Sequence, residues 1–235
     1  MIQKVWFSEL SSKQIDELKL ETNKIELSLR YLSKLCEPSL FAHFGDLTQI
    51  HLVTCNLANI DENMFEHTKN LQVLDLSYNK LRSIHKDTFK CLSKLAILKL
   101  SFNDLHSIDP CLFQDLTSLN ELGLVRNFLK EVHKDTFKGL INLNRLCLEY
   151  NQLEELNLNT FNELNNLLHL DLSFNKLKLK NIHRQLFENL VRLEWINLSN
   201  NCLKNEEKLN LILPPSIKFI SFQIGFCGNN IELMQ

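Results

Sequence analysis

Apolar residues recur along this chain with a period of 24. Read from Leu71, the segment LQVLDLSYNKLRSIHKDTFKCLSK carries apolar side chains at Leu71, Leu74, Leu76, Leu81, Ile84, Phe89 and Leu92. The next segment repeats them at Leu95, Leu98, Leu100, Leu105, Ile108, Phe113 and Leu116, and segments from Leu119 and Leu143 do so again. The segment from Leu47 follows through Phe65, with Thr68 in place of the last leucine, and those from Leu167 and Leu193 keep the first half. Phenylalanine marks the register: Phe41, Phe65, Phe89, Phe113, Phe137 and Phe161 are 24 apart and Phe187 follows after 26, so seven of the fifteen share one phase. A unit this short cannot enclose a core alone, so the units must stack and share one.

Each unit has two spacing regimes. Leu74 and Leu76 are two apart, which predicts a short extended strand with Asp75 on its other face. The later apolar positions are three to five apart, which predicts a return path of turns or short helical segments. One strand per unit, always in the same direction, makes neighbouring strands parallel and about 4.8 Å apart, so nine strands span roughly 40 Å. Asn79, Asn103, Asn127, Asn151, Asn175 and Asn201 form a second register where the chain leaves each strand, and Cys55 holds that place in the first of these units. Buried backbone groups at such a turn need partners. A column of carboxamides supplies both donors and acceptors.

The resulting pattern, L-x-x-L-x-L-x-x-N/C-x-L, resembles the leucine-rich repeat. Its 24-residue form is similar to that of Toll and Toll-like receptor ectodomains, axon-guidance and adhesion proteins, and small secreted proteoglycans. The resemblance implies an α/β fold class: a leucine-rich-repeat solenoid, a curved horseshoe with a parallel sheet on the concave face and irregular turns or short helices on the convex face. Residues 47–206 read as the repeat array. Residues 1–46 read as a flank and an irregular first repeat, in which Ile15, Leu18, Leu20, Asn23 and Ile25 match half a unit and LRYLSKLCEPSL bulges from the convex side. Residues 207–235 read as a degenerate terminal repeat with a last strand around Ile217, Ile220 and Phe222. A small insertion falls near Lys178–Lys180.

Composition narrows the classes. A net charge of −2 over 235 residues argues against general nucleic-acid binding, which needs a basic face. No run of eighteen apolar residues predicts a membrane span. The start, MIQKVWFSEL, lacks the apolar core of a signal peptide. Secreted proteins of this kind usually carry cysteine-rich caps, and neither is seen, so the sequence reads as a piece of a larger ectodomain in preference to a small uncapped variant. Among seven cysteines there is no C-x-x-C pair. Cys91 and Cys111, and Cys202 and Cys227, fall on adjacent units, where disulfides and buried thiols are both open readings. Asn197-Leu198-Ser199 is the sole glycosylation sequon. The hexapeptide HKDTFK occurs at His85–Lys90 and again at His133–Lys138. No catalytic, cofactor or metal motif stands out, and the histidines are scattered.

By resemblance, the expected function is non-enzymatic recognition at the cell surface or outside the cell, in Toll-like immune sensing or adhesion. The ligand is a protein or glycan on the concave face, and a homodimer is compatible with this. The candidate contacts are Val73 and Ile97, which the scaffold does not require; the column Tyr78, Phe102, Arg126, Tyr150 and Phe174; and Trp195. Aromatic residues and arginine are enriched at binding hot spots. For the column, local packing at the strand edge is the competing reading. Two other functions remain in view: an intracellular regulator that wraps an enzyme, as ribonuclease-inhibitor-like proteins do, and a nucleic-acid-sensing ectodomain.

Overall fold

A computed structural model describes residues 3–6, 25–28, 41, 45–203 and 212–221. Ten short strands form one parallel sheet in chain order. They are β1 (Gln3–Trp6), β2 (Ile25–Ser28), β3 (Gln49–His51), β4 (Val73–Asp75), β5 (Ile97–Lys99), β6 (Glu121–Gly123), β7 (Arg145–Cys147), β8 (His169–Asp171), β9 (Trp195–Asn197) and β10 (Phe219–Ser221). Register follows the repeat: Leu74 pairs with Leu98, Leu98 with Leu122, and Leu122 with Leu146. From β3 to β9 the middle residue of each strand is buried, while its neighbours turn outward to varying degrees. This is the alternation that the Leu-x-Leu spacing demands.

Inside the coil, the phenylalanines form a stacked spine. All seven are 0–1% exposed, with neighbouring rings 5.9 Å apart at Phe41–Phe65 and 6.5 Å at Phe89–Phe113. The buried apolar cluster runs without a break from Phe41 to Leu203. At Thr68, where a leucine is missing, the hydroxyl donates to Phe65 O at 3.0 Å, so the buried polar atom is satisfied locally.

The asparagines form the second rail. Asn127 Nδ2 donates to Leu100 O of the preceding coil at 3.0 Å and to Leu124 O of its own at 3.2 Å. Its Oδ1 accepts Leu105 N at 3.1 Å. The same bonds recur at Asn103, Asn151, Asn175 and Asn201, so each carboxamide clips its coil to the one before. Cys55 brings no carboxamide, and its own N–H and that of Leu57 are both met by Asn79 Oδ1.

The return paths are almost entirely turns. Two short 3-10 helices, Leu179–Asn181 and Arg184–Phe187, absorb the insertion near Lys178–Lys180 and leave Phe187 in the spine. Gly139 follows Phe137 with φ +86°, and a Cβ there would lie 2.2 Å from Gln114 O; only glycine fits.

Two sequence expectations change, and one open reading is decided. The sheet has ten strands where nine were expected, the extra one being β1. The strand paired with β3 is Ile25–Ser28, downstream of Leu18–Leu20. Both stretches fit the apolar template, and Ser28 opposite His51 gives a step of 23 residues. Residues 7–24 and the stretch expected to bulge, 29–40, lie outside the described residues. Finally, Cys91 and Cys111 are separate thiols with no bridge between them; Cys227 lies outside the described residues.

Candidate ligand-binding face

The outward residues of the strands form rows across the sheet. In the first row Val73 on β4 lies beside Ile97 on β5, both half-buried. Glu121 and Arg145 follow on β6 and β7. Then come His169 and Trp195, whose rings lie 6.2 Å apart and tilted by 43°. Phe219 on β10 pairs with Trp195 and is 67% exposed. From β4 to β10 the row thus runs from aliphatic through charged to aromatic, with the polar Gln49 of β3 beside Val73. Phe219 was missed from sequence, although its alignment with Trp195 at a 24-residue step was the available signal.

The second row holds Asp75, Lys99, Gly123, Cys147, Asp171 and Asn197. Asp171 is fully engaged: Oδ1 accepts Ser173 N and Oγ at 2.9 and 2.6 Å, and Oδ2 accepts Asn197 Nδ2 at 3.1 Å. That last bond uses the sequon's own amide nitrogen, and Asn197 Oδ1 accepts Ser199 N. Burial pushes the Cys147 thiol up to about 12, with the Glu149 charge adding to it. A thiol so far from ionising is not a nucleophile at neutral pH. Glu149, two residues beyond Cys147, is pushed by burial to about 7, against its own backbone N–H bond, and Asp171 adds to the rise.

Tyr78, Phe102, Arg126, Tyr150 and Phe174 stand on the turn that ends each strand, three residues past its last position. All five are left-handed, with φ from 51° to 59°. Thr54 and Asn200 at the same phase are left-handed too, so the conformation belongs to the repeat and not to the aromatic ring. It reverses the chain so that the following Asn points inward. Bulky residues rarely adopt it. Stacking accompanies it here: Tyr78 on Phe102 at 4.2 Å, Tyr150 on Phe174 at 4.1 Å, and the Arg126 guanidinium 5.6 Å from the Phe102 ring.

Away from the sheet, on the return paths, Glu62, His85 and Asp87 bring three metal-type ligand atoms within 4.8 Å of one another. His85 Nδ1 lies 2.9 Å from Glu62 Oε2 and 3.8 Å from Asp87 Oδ2, the contacts of an ion pair when the ring is protonated. The three are largely exposed. The second HKDTFK has only the His133–Asp135 pair, at 3.6 Å.

A leucine-rich-repeat family profile matches residues 46–105, 83–127 and 117–177, which together span more than half of the chain. The chain belongs to the leucine-rich-repeat family. No curated protein matches the sequence. Among solved structures, this leucine-rich-repeat chain is similar to TLR13 in its TLR13–ssRNA13 complex, with 27% identity over 86% of this chain and 32% of that one and a TM-score of 0.64. It is also similar to the Drosophila Toll–Spatzle complex, with a TM-score of 0.74 and 20% identity over 94% of this chain and 34% of that one. The glycosylated form of that complex gives 0.72 and 25% over 90% of this chain and 30% of that one. The chain therefore spans about a third of the length of these solved structures. Among the described residues, no helix is long and apolar enough to cross a membrane.

Proposed function

We propose that this chain is a non-enzymatic recognition module, part of a receptor-type ectodomain outside the cell or at its surface, which binds a protein ligand on the concave face. The observation that carries the reading is the first row of the sheet. Val73 and Ile97 at one end, and Trp195 and Phe219 at the other, place apolar side chains where no buried neighbour requires them. Apolar patches on a rigid surface mark contact sites. The strands hold these side chains in place before contact, so little ordering entropy is lost on binding. The likeness to Toll bound to Spatzle suits a protein ligand.

A screen of secreted and cell-surface proteins against the immobilised chain supplies the test. A ligand so found should lose binding to Val73→Asp/Ile97→Asp while the far-UV circular dichroism stays unchanged. Retained binding with an unaltered spectrum moves the site off the concave face.

The TLR13–ssRNA13 likeness raises RNA as a second ligand class. The middle of the concave face argues against it, because Glu121, Glu149 and Asp171 oppose a phosphate backbone there. Binding of single-stranded RNA that falls steeply with added salt would reverse this reading. An enzyme-wrapping cytosolic regulator is disfavoured by the return paths, which are turns where that class has a regular helix in every unit.

A further inference from the structure

Glu149 is out of place in its row. Neighbouring units put Ser101, Val125, Ser173 and Ser199 at the same position. Ser173 and Ser199 are buried against the sheet, so the row suits small side chains. Glu149 Oε2 is buried there and has no hydrogen-bond partner among the described residues. A buried carboxylate oxygen without a donor is costly, and native proteins seldom keep one that nothing meets. On the neighbouring coils, the Ser173 N–H and hydroxyl and the Asn197 amide are committed to Asp171. Among the described residues, Arg145 is the cation acting on Glu149, and it is exposed. Asp171, on the next strand, adds a second negative charge beside Glu149. On β6 the partner of Cys147 is Gly123, and at Glu149's own position one coil back stands Val125, whose side chain offers no hydrogen-bond donor. Tyr150, next in the chain, is 48% exposed and stacked on Phe174.

We propose that Glu149 anchors a subsite for a cationic side chain, an arginine or lysine of a protein ligand lying along the concave face. The inference deepens the recognition reading and rests on it. The carboxylate offers charge-assisted hydrogen bonds, and the Tyr150–Phe174 stack offers a π face to the same cation. The carboxyl's rise to about 7 fits an anion short of partners: burial and Asp171 push it up, and its own backbone N–H bond and Arg145 only partly offset them.

Peptides selected from a random display library on the immobilised full chain test the subsite. Each is then measured against the unmodified chain, Glu149→Gln and Val73→Asp/Ile97→Asp. The expected peptides are rich in arginine or lysine and bind Glu149→Gln about tenfold or more weakly near pH 8. That difference should shrink near pH 5.5, where the glutamate is mostly neutral. Gln is isosteric, and a matched circular-dichroism melt excludes misfolding. Peptides that the double variant loses but Glu149→Gln binds normally overturn the subsite and leave the concave reading standing. Peptides indifferent to every variant, or an empty selection, overturn both.

Discussion

The two faces of one strand follow different rules. On the inner face the middle positions of β4 to β8 are Leu74, Leu98, Leu122, Leu146 and Leu170, all fully buried. On the outer face the adjacent positions run Val73, Ile97, Glu121, Arg145 and His169. The difference comes from what fills the space. Inside, each side chain meets its own copy one strand away, so volume in one coil must match volume in the next. Outside, water or a ligand completes the contact, and no residue constrains its neighbour so tightly. A repeat is therefore rigid in sequence where it is packed and free where it is read by a partner.

The sharpest way to break this contrast is to truncate two residues inside and one outside. Phe113→Ala removes a fully buried ring from the spine and should cost about 3–5 kcal/mol. Asn127→Ala strips partners from the buried Leu105 N, Leu100 O and Leu124 O and should cost a similar amount. Ile97→Ala, half-buried on the outer face, should cost about 1 kcal/mol. Urea unfolding of the three variants ranks them. An outer truncation as costly as Phe113→Ala would mean that the sheet face is itself a packed surface.

A smaller effect sharpens the comparison, because Glu149 is an outer-face residue held partly as an inner one is. Its folded value of about 7 stands above the ordinary 4.5. Below 4.5 both folded and unfolded chains hold the proton, and the residue costs nothing. As pH rises from there, the unfolded chain releases the proton first, so stability falls until the folded carboxyl also ionises near 7. The loss should be on the order of 1 kcal/mol, since the side chain is only half-buried and solvent screens it. Glu149→Gln should therefore be about as stable as the parent near pH 4 and more stable near pH 8. Parallel pH dependences in the two proteins would show that Glu149 ionises normally.

The inner face was legible from sequence because its chemistry is periodic. The Phe and Asn registers named the spine, the ladder and the strand positions, and 24-residue spacing fixed the pairing from β3 to β8, with a 26-residue step to β9. The start of the array was misread because two stretches fit one template, and only pairing with β3 chose between them. The outer face was legible as a set of positions and not as a site. Val73 and Ile97 could be seen to be adjacent, but nothing in the letters marked Glu149 as desolvated. That property arises from packing in the folded sheet and from Asp171 on the next strand. The meeting of Glu62 with His85 and Asp87 was equally hidden, since it crosses from one return path to the next.

The rim column lies between these extremes, and it should respond least. Tyr78→Ala removes a stacked, half-exposed ring and should cost about 1 kcal/mol. Tyr78→Gly removes the same ring but also frees the backbone at φ 59°, a region disfavoured by roughly 1–2 kcal/mol for residues with a Cβ. The glycine variant should therefore be at least as stable as the alanine variant, the reverse of the order expected within a strand. A double-mutant cycle with Phe102→Ala then isolates the ring pair, expected to couple by about 0.5–1.5 kcal/mol. Measurable coupling makes the column a structural clasp. Absent coupling would leave the rings unexplained by packing and return them to the ligand.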